Sequence, residues 1–265
     1  MPSPIERIRK RRAAISKLEE VSRNRDTVVL VHYSCESFYN RPEGRSPRIT
    51  SIAVRNLGNA QTTSFSIHQV AERKGISSVQ IRDQYDLLER DMLAEWYAHV
   101  DQHSSSRWLH WNMRDANYGF SAIAHRFRVL GGKPVDVDES RLFDFAKLLV
   151  DIYGPAYTGH PRFQSLSELN RISLKDFLAG SDEATAFESG EYVKLHQSTL
   201  RKVDVMANLF NRYEEGNLKT QSGWWQPYGS RILGAGEWCR EHPIAALIMV
   251  ALAVLSVVLG LIALR

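Results

Sequence analysis

The feature that most constrains this chain is an uninterrupted apolar stretch close to its C-terminus. Residues 244–264 read IAALIMVALAVLSVVLGLIAL and include no charged residue, no amide and no proline. As an α-helix, this stretch would span about 31 Å, close to the roughly 30 Å hydrocarbon core of a bilayer. A buried core helix is the alternative, but core helices seldom stay apolar on every face over such a length. The stretch therefore predicts one transmembrane helix.

The residues around this stretch predict how the chain sits in the membrane. Three of the six tryptophans fall within residues 224–238, directly before it, as expected for side chains that settle among lipid headgroups. Arg231, Arg240 and His242 lie on its N-terminal side, and only Arg265 follows it. This asymmetry favours a cytoplasmic N-terminal domain. Because no apolar h-region opens the chain, we expect a C-terminal anchor and no cleavable signal peptide.

Residues 1–25 predict a basic helix. Six lysines and arginines fall between Arg7 and Lys17, with Pro4 near the helix start and aliphatic residues at helical spacing. Such a helix can lie on anionic lipid or on phosphate groups. A solvated surface helix is the alternative, because three glutamates dilute the charge.

Residues 26–216 predict a folded α/β domain, and residues 217–243 a connector. The ten Phe, ten Tyr and six Trp provide enough apolar surface for a core, while two distant cysteines exclude a disulfide scaffold. Apolar runs predict strands over 26–38, 49–57, 61–68 and 107–113. Helical spacing predicts helices over 79–103, 116–132, 140–154, 165–170 and 196–217, with Ser140 as an N-cap and Gly216 closing the last. This order favours a mixed sheet with flanking helices.

Three segments of the domain resemble the motifs of the DEDD 3′–5′ exonucleases, an RNase H-like superfamily named after four metal-binding acids. Their first strand carries Asp-x-Glu-Thr and precedes two antiparallel strands; here residues 34–37 read Ser-Cys-Glu-Ser, and only Glu36 matches. Their second motif is a short strand ending in His-Asn before a helix that opens with Phe-Asp. Here WLHWNMRDANYGF supplies His110, Asn112 and Tyr118, with Gly119 at the acid.

The third motif of the family, His-x-Ala-Leu-x-Asp-x-x-x-Thr on a late helix, is matched by QSTLRKVDVMANLF. This match puts Gln197 at the histidine and Lys202 at the acid. The resemblance covers residues 26–213 and depends on topology, spacing and hydrophobic pattern more than on identical residues. It implies an RNase H-like mixed sheet with flanking helices, in which Glu36 approaches Lys202 and forms an ion pair with it.

The same resemblance implies that the catalytic chemistry is lost. Active members hold two divalent ions with several carboxylates, whereas three of the four acids appear here as Ser34, Gly119 and Lys202. At ~4 Å and an effective dielectric constant of ~20, one unit-charge repulsion is worth about 4 kcal/mol, so the ammonium of a lysine would expel metal ions. We therefore expect no metal cofactor. The alternative is a rebuilt Mg²⁺ or Mn²⁺ site, for which the candidate acids are Glu36, Asp115, Asp204, Asp144 and Asp151.

Side chains around the second motif suggest that such a site could still bind a ligand. Stacking faces, amides and a guanidinium are the groups that grip an unpaired base or a nucleotide. Tryptophans that only fill the core are the alternative. The predicted binding residues are Ser34, Glu36, Trp108, His110, Trp111, Asn112, Arg114, Tyr118 and Lys202.

Other chemistries have little support in the sequence. A Cys–His nucleophile built from Cys35 with His32 or His110 has no accompanying signature, and a buried cysteine usually serves packing. The nine histidines are scattered without zinc-ligand spacing. The glycine-rich motifs that cradle phosphates are absent from the sequence.

Together these observations predict a membrane-anchored cytosolic binding or sensing module, built on a catalytically degenerate exonuclease-like domain. Single-stranded nucleic acid or a nucleotide is the candidate ligand. Two alternatives remain: an active metal-dependent exonuclease held at the membrane, and a membrane-bound module that binds another protein. Ser256 and Gly260 form a small-xxx-small pair in the apolar stretch, which makes a homo-oligomer a further candidate.

Overall fold

The domain is built on a five-stranded mixed sheet. A computed structural model describes residues 3–37, 46–114 and 118–222. The strands are β1 (Val28–Cys35), β2 (Ile49–Asn56), β3 (Thr62–Ser66), β4 (Arg107–His110) and β5 (Leu142–Asp144), in the spatial order β3-β2-β1-β4-β5. β1 pairs antiparallel with β2 and parallel with β4, while β2–β3 is antiparallel and β4–β5 is parallel. The predicted mixed α/β fold is therefore confirmed at this level.

Helices cover both faces of the sheet. In chain order they are α1 (Pro4–Arg23), α2 (Ile67–Arg73), α3 (Tyr85–Gln102), α4 (Phe120–Val129), α5 (Phe145–Tyr153), α6 (Arg162–Leu169), α7 (Gly180–Glu188) and α8 (Tyr192–Glu214). Short 3₁₀ turns lie at Arg25–Thr27, Ser78–Gln80 and Glu139–Arg141.

Two apolar cores lie on opposite sides of the sheet because successive side chains of a strand alternate. Val29, Val31 and Tyr33 of β1 join α2, α3 and α4 in one core. Val28 and Leu30 join α1, α5, α6 and most of α8 in the other. The central strand is buried along its whole length, as the continuous apolar run in its sequence predicts.

The region predicted as one helix over residues 140–154 divides into a strand and a helix. Residues 142–144 form β5, which pairs in parallel with residues 108–110 of β4. The N-cap of α5 is then Asp144 rather than Ser140, and its side chain accepts a hydrogen bond from the Lys147 backbone. Pairing with a strand about thirty residues earlier in the chain outweighs the local helical pattern, and no local signal reports it.

The predicted transmembrane helix lies outside the described residues, as does most of the predicted connector. Within the described ranges, no helix has the length and apolar character needed to cross a bilayer.

Candidate functional site

A cavity of about 550 Å³ opens where β1 ends. Its walls come from the end of β1, the turn after β4, α6, the segment before α7, α7 itself and α8. Its size falls within the range of small-molecule sites. We call it the β1 cavity; it is lined by His32, Tyr33, Cys35, Glu36, Ser37, Trp111, Asn112, Tyr118, Pro161, Phe163, Gln164, Phe177, Leu178, Ala179, Gly180, Ser181, Glu183, Ala184 and Lys202.

A buried ion pair stands at the inner wall of the β1 cavity. The Lys202 Nζ lies 2.6 Å from Glu183 Oε1, and the two side chains are only 7% and 15% exposed. The Ser34 hydroxyl donates a hydrogen bond to the same oxygen at 3.0 Å. The Lys202 ammonium also lies 5.2 Å from the centroid of the Phe177 ring, within cation–π range. These contacts satisfy the buried charge of Lys202.

Glu183 is the functional candidate that sequence reasoning missed. It lies on α7, a helix absent from the sequence-based assignment. The only signal in the sequence was indirect: Lys202 falls on the inner face of α8 with Leu195 and Thr199, and a buried lysine requires an acidic partner. The pattern indicates that such a partner exists, but it does not identify which carboxylate supplies it.

Glu36 and Lys202 both line the β1 cavity, as the motif alignment implies. The expected ion pair between them was nevertheless wrong, because the carboxylate at Lys202 belongs to Glu183. Glu36 is itself buried, and its backbone N–H donates to the Arg48 carbonyl at 2.8 Å. The backbone just beyond β1 is therefore fixed to the strand that follows it.

The acid position of the second motif is closed to any side chain. A Cβ built on Gly119 would lie 2.6 Å from the Met113 carbonyl oxygen, which is closer than such atoms approach in proteins. The Gly119 backbone N–H donates to the Tyr33 hydroxyl at 3.1 Å. The chain approaches itself at this point, so a metal-binding carboxylate could be restored here only if the backbone moved.

Two tyrosines and a histidine form a neutral wall beside the ion pair. Tyr118 stacks on Tyr33 with ring centroids 4.5 Å apart, and its hydroxyl donates to the Tyr33 carbonyl at 3.1 Å. The same hydroxyl lies 3.4 Å from His32 Nε2. Burial, helped by the positive charge of Lys202, holds the pKa of His32 well below its usual value, and burial raises that of Tyr118 well above its usual value. Both groups are uncharged at neutral pH.

The residues of the second motif do not form the single cleft that was predicted. Trp111 and Asn112 line the β1 cavity, where Trp111 stacks on Phe163 at 4.5 Å. Trp108 is a core residue that packs edge-on against Trp96, so its predicted binding role is corrected. The two tryptophans separate because side chains alternate along a strand, which a grouping by sequence proximity ignores.

His110 and Arg114, also predicted to bind ligand there, line a second cavity of about 580 Å³. His110 is buried, and its Nδ1 accepts a hydrogen bond from the Met113 backbone at 3.2 Å. Burial lowers the pKa of this imidazole to about 4. Arg114 forms an ion pair with Asp144 on the rim. Neither residue is among the groups that line the β1 cavity.

Of the acids proposed to rebuild a metal site, Glu36 lines the β1 cavity, whereas Asp144, Asp151 and Asp204 do not. Asp204 forms an ion pair with Arg201, and Asp151 with Lys147, while Asp144 is paired as described above. Asp115 falls outside the described residues. Across the described ranges, no three His, Cys, Asp or Glu side chains are grouped so that they could hold a metal ion. Gln197, at the family's histidine position, is exposed on α8.

Comparison with known proteins assigns no family to this chain. No protein-family model, no curated protein and no solved structure matches this chain.

Proposed function

We propose that this chain is a membrane-anchored binding module whose β1 cavity is a catalytically degenerate exonuclease-like site. The observation that carries the proposal is the Lys202–Glu183 ion pair, at 2.6 Å, where the family's last metal-binding acid would stand. At this position the site holds the ammonium of Lys202 in place of a metal-binding carboxylate. Its chemistry suits recognition of a ligand rather than two-metal hydrolysis.

The arrangement of the sheet supports the family resemblance. The first strand is central, two antiparallel strands follow it on one side, and parallel strands lie on the other. The β1 cavity opens at the carboxyl end of β1, beside the parallel strand β4, where the strand order changes direction. In α/β sheets this is the usual place for a ligand. The topology therefore supports both the proposed family and the proposed position of the site.

Two divalent ions fit poorly into the residues that are present. Two hard cations carry four positive charges and need several carboxylate ligands. Among the described residues, the acids that line the β1 cavity are Glu36 and Glu183, and Glu183 is already neutralised by Lys202. Gly119 leaves no space for a third acid. The described residues of this cavity therefore favour a site that does not hold two metal ions.

The lining defines the class of ligand. Phe163, Phe177 and Leu178 line the cavity with apolar side chains, and Trp111 packs behind Phe163. The Asn112 amide and the Tyr118 hydroxyl add a few polar groups. This combination suits a flat apolar body with a small number of hydrogen-bonding atoms, such as the base of a nucleotide or of a single-stranded nucleic acid end.

The membrane part of the proposal depends on residues 244–264 in the sequence. This apolar stretch supports a single anchor with the described domain on the cytoplasmic side.

Filling the β1 cavity tests the binding function. Ala184 lines the cavity, and its neighbour Thr185 is exposed on the same helix. We expect Ala184→Trp to abolish binding of a short single-stranded oligonucleotide and of nucleoside monophosphates, measured by titration calorimetry on the full chain in mild detergent. Thr185→Trp is the matched control and should bind as wild type does. Equal binding by both variants would exclude this cavity as the site.

A protein partner is the second candidate, because much of the lining is apolar. If no nucleotide or oligonucleotide binds to wild type, while a partner protein binds and is lost in Ala184→Trp, this alternative replaces the nucleotide ligand.

A further inference from the structure

Helix α1 has one packed face and one free basic face. Ala14, Leu18 and Val21 are buried in the core that α1 shares with α5. The Arg11 Nε donates to the Ile152 carbonyl at 3.1 Å, which fixes the helix to the end of α5. Residues 9, 12 and 16, spaced i, i+3 and i+7, lie on the opposite side and are exposed.

The exposed side of α1 carries a local excess of positive charge. Arg7, Arg9, Lys10, Arg12 and Lys17 are all exposed. Lys10 is paired with Glu6 at 2.7 Å. In the described part of the chain, Arg9 and Arg12 have no carboxylate partner. A run of cations on an otherwise packed helix has no role in the fold, so it is available for an anionic surface.

The described chain ends beside this same helix. The Ser222 hydroxyl donates to the Tyr153 carbonyl at 2.7 Å, and Tyr153 directly follows the residue that accepts the hydrogen bond from Arg11. The Gln221 backbone N–H donates to the Tyr157 carbonyl at 2.8 Å. Residues 221 and 222 are therefore held near the end of α5, to which α1 is also bonded. In the sequence, residues 223–243 separate this point from the apolar stretch 244–264.

We propose that the exposed face of α1, formed by Arg9, Arg12 and Ser16 and flanked by Lys17, lies on anionic lipid headgroups. The membrane in question is the one that holds the apolar stretch, so the inference rests on the proposed anchor only for its location. Charge complementarity selects the occupant: a cytoplasmic leaflet with anionic lipids attracts basic segments that lie next to an anchor. The domain would then be held with the α1 side on the bilayer.

A fluorophore on α1 tests this contact in the full chain. Ser16→Cys, in a Cys239→Ser background with the buried Cys35 left in place, provides the labelling site. The labelled protein is placed in nanodiscs of phosphatidylcholine alone or of phosphatidylcholine with phosphatidylserine, each containing a quencher-bearing lipid. We expect strong quenching only with the anionic lipid, and loss of that quenching at high salt because exposed charges are screened.

Charge reversal identifies the responsible residues. The triple variant Arg9→Glu, Arg12→Glu and Lys17→Glu should lose the quenching. The matched control reverses three exposed cations elsewhere, Arg90→Glu, Lys133→Glu and Lys175→Glu, which changes the net charge equally and should retain it.

Each remaining outcome decides the question. Equal quenching in neutral and anionic discs, or equal loss in both triple variants, would overturn the proposal. If the chain does not insert into neutral discs at all, the proposed transmembrane anchor is wrong. Binding to anionic discs that depends on the α1 residues would still support the lipid contact. A fluorescence response to single-stranded RNA and none to lipid would overturn it in favour of nucleic acid.

Discussion

At the scale of single residues, Lys202 determines the charge that the β1 cavity offers to a ligand. An acid at position 202 would add negative charge for cations, whereas Lys202 adds positive charge and takes Glu183 as its partner. In the proposed alignment, three positions point the same way: Ser34 lacks a carboxylate, Gly119 lacks space for one, and Lys202 reverses the charge. The identities of these residues could be read from the sequence, but their consequences required the partner on α7.

Breaking the ion pair should destabilise the domain. Lys202→Met leaves the Glu183 carboxylate buried without a cation, which typically costs about 3–5 kcal/mol of unfolding free energy. Adding Glu183→Leu should restore most of this loss, since an apolar pair of similar volume removes both charges. Denaturant unfolding of the full chain in detergent, followed by tryptophan fluorescence, measures both effects.

Lys194 provides the matched control on the same helix. Its side chain is 54% exposed and its ion pair with Glu191 lies at the surface, so Lys194→Met should cost less than about 1 kcal/mol. If Lys194→Met and Lys202→Met lower the free energy of unfolding by similar amounts, the buried pair stabilises the domain no more than the exposed pair does.

Acid should weaken the domain through its buried histidines. Burial, together with the charge of His68, lowers the pKa of His196 from 6.5 to about 4, so the folded state holds this imidazole neutral while the unfolded state protonates it. The unfolded state therefore binds more protons below pH 6.5, and stability falls by about 1.4 kcal/mol per pH unit for each such group until pH reaches the folded pKa. His196→Gln should make the dependence of unfolding free energy on pH shallower in this window. An unchanged slope would contradict this assignment.

At the scale of elements, long periodic segments were predictable and short paired ones were not. The central strand and the helix carrying Lys202 have strong apolar patterns that specify them locally. β5 has three residues and forms only through its pairing with β4, and α7 buries little beyond Ala186. Because α7 forms one wall of the β1 cavity, sequence reasoning found the strand and helix motifs of the site but missed this wall.

The wall of the β1 cavity that α7 (Gly180–Glu188) forms, the α7 wall, should be the least stable part of the site. Its contacts include the ion pair and the Ser34 hydrogen bond of Glu183, the Phe187 ring against Tyr85 and Tyr192, and a hydrogen bond from Arg82 to the Glu188 carbonyl. Few buried apolar contacts favour local opening. Hydrogen–deuterium exchange should be faster over residues 180–188 than over α8, and Glu183→Gln should accelerate it further.

The exposed pair provides the comparison for this exchange experiment. Glu191→Gln removes a carboxylate whose side chain is 47% exposed and should leave exchange over residues 180–188 unchanged. If α7 is as protected as α8 in wild type, the wall is not a weak element.

At the scale of the whole molecule, the apolar stretch 244–264 predicts a domain that is anchored in a membrane. Single charges in the apolar stretch should test this, because an arginine near the centre of a spanning helix costs about 2.5–3.5 kcal/mol of insertion free energy. We expect the wild-type chain to resist carbonate extraction. The variant with Leu252→Arg and Leu255→Arg should be extracted, whereas Leu252→Ala with Leu255→Ala should not. Extraction of the wild-type chain by carbonate would contradict the proposed transmembrane anchor.

The central claim is that the β1 cavity binds an unpaired nucleotide or strand end without cleaving it. The most direct measurement is the fluorescence anisotropy of a labelled single-stranded oligonucleotide, followed over time with the full chain in Mn²⁺. A cavity in which Lys202 stands at the position of a metal-binding acid, as we propose, predicts a rise in anisotropy that stays constant and is lost in Ala184→Trp. A Mn²⁺-dependent decay of the anisotropy that disappears in Glu36→Ala would contradict the account, because it would show that the site still holds metal ions and degrades its ligand.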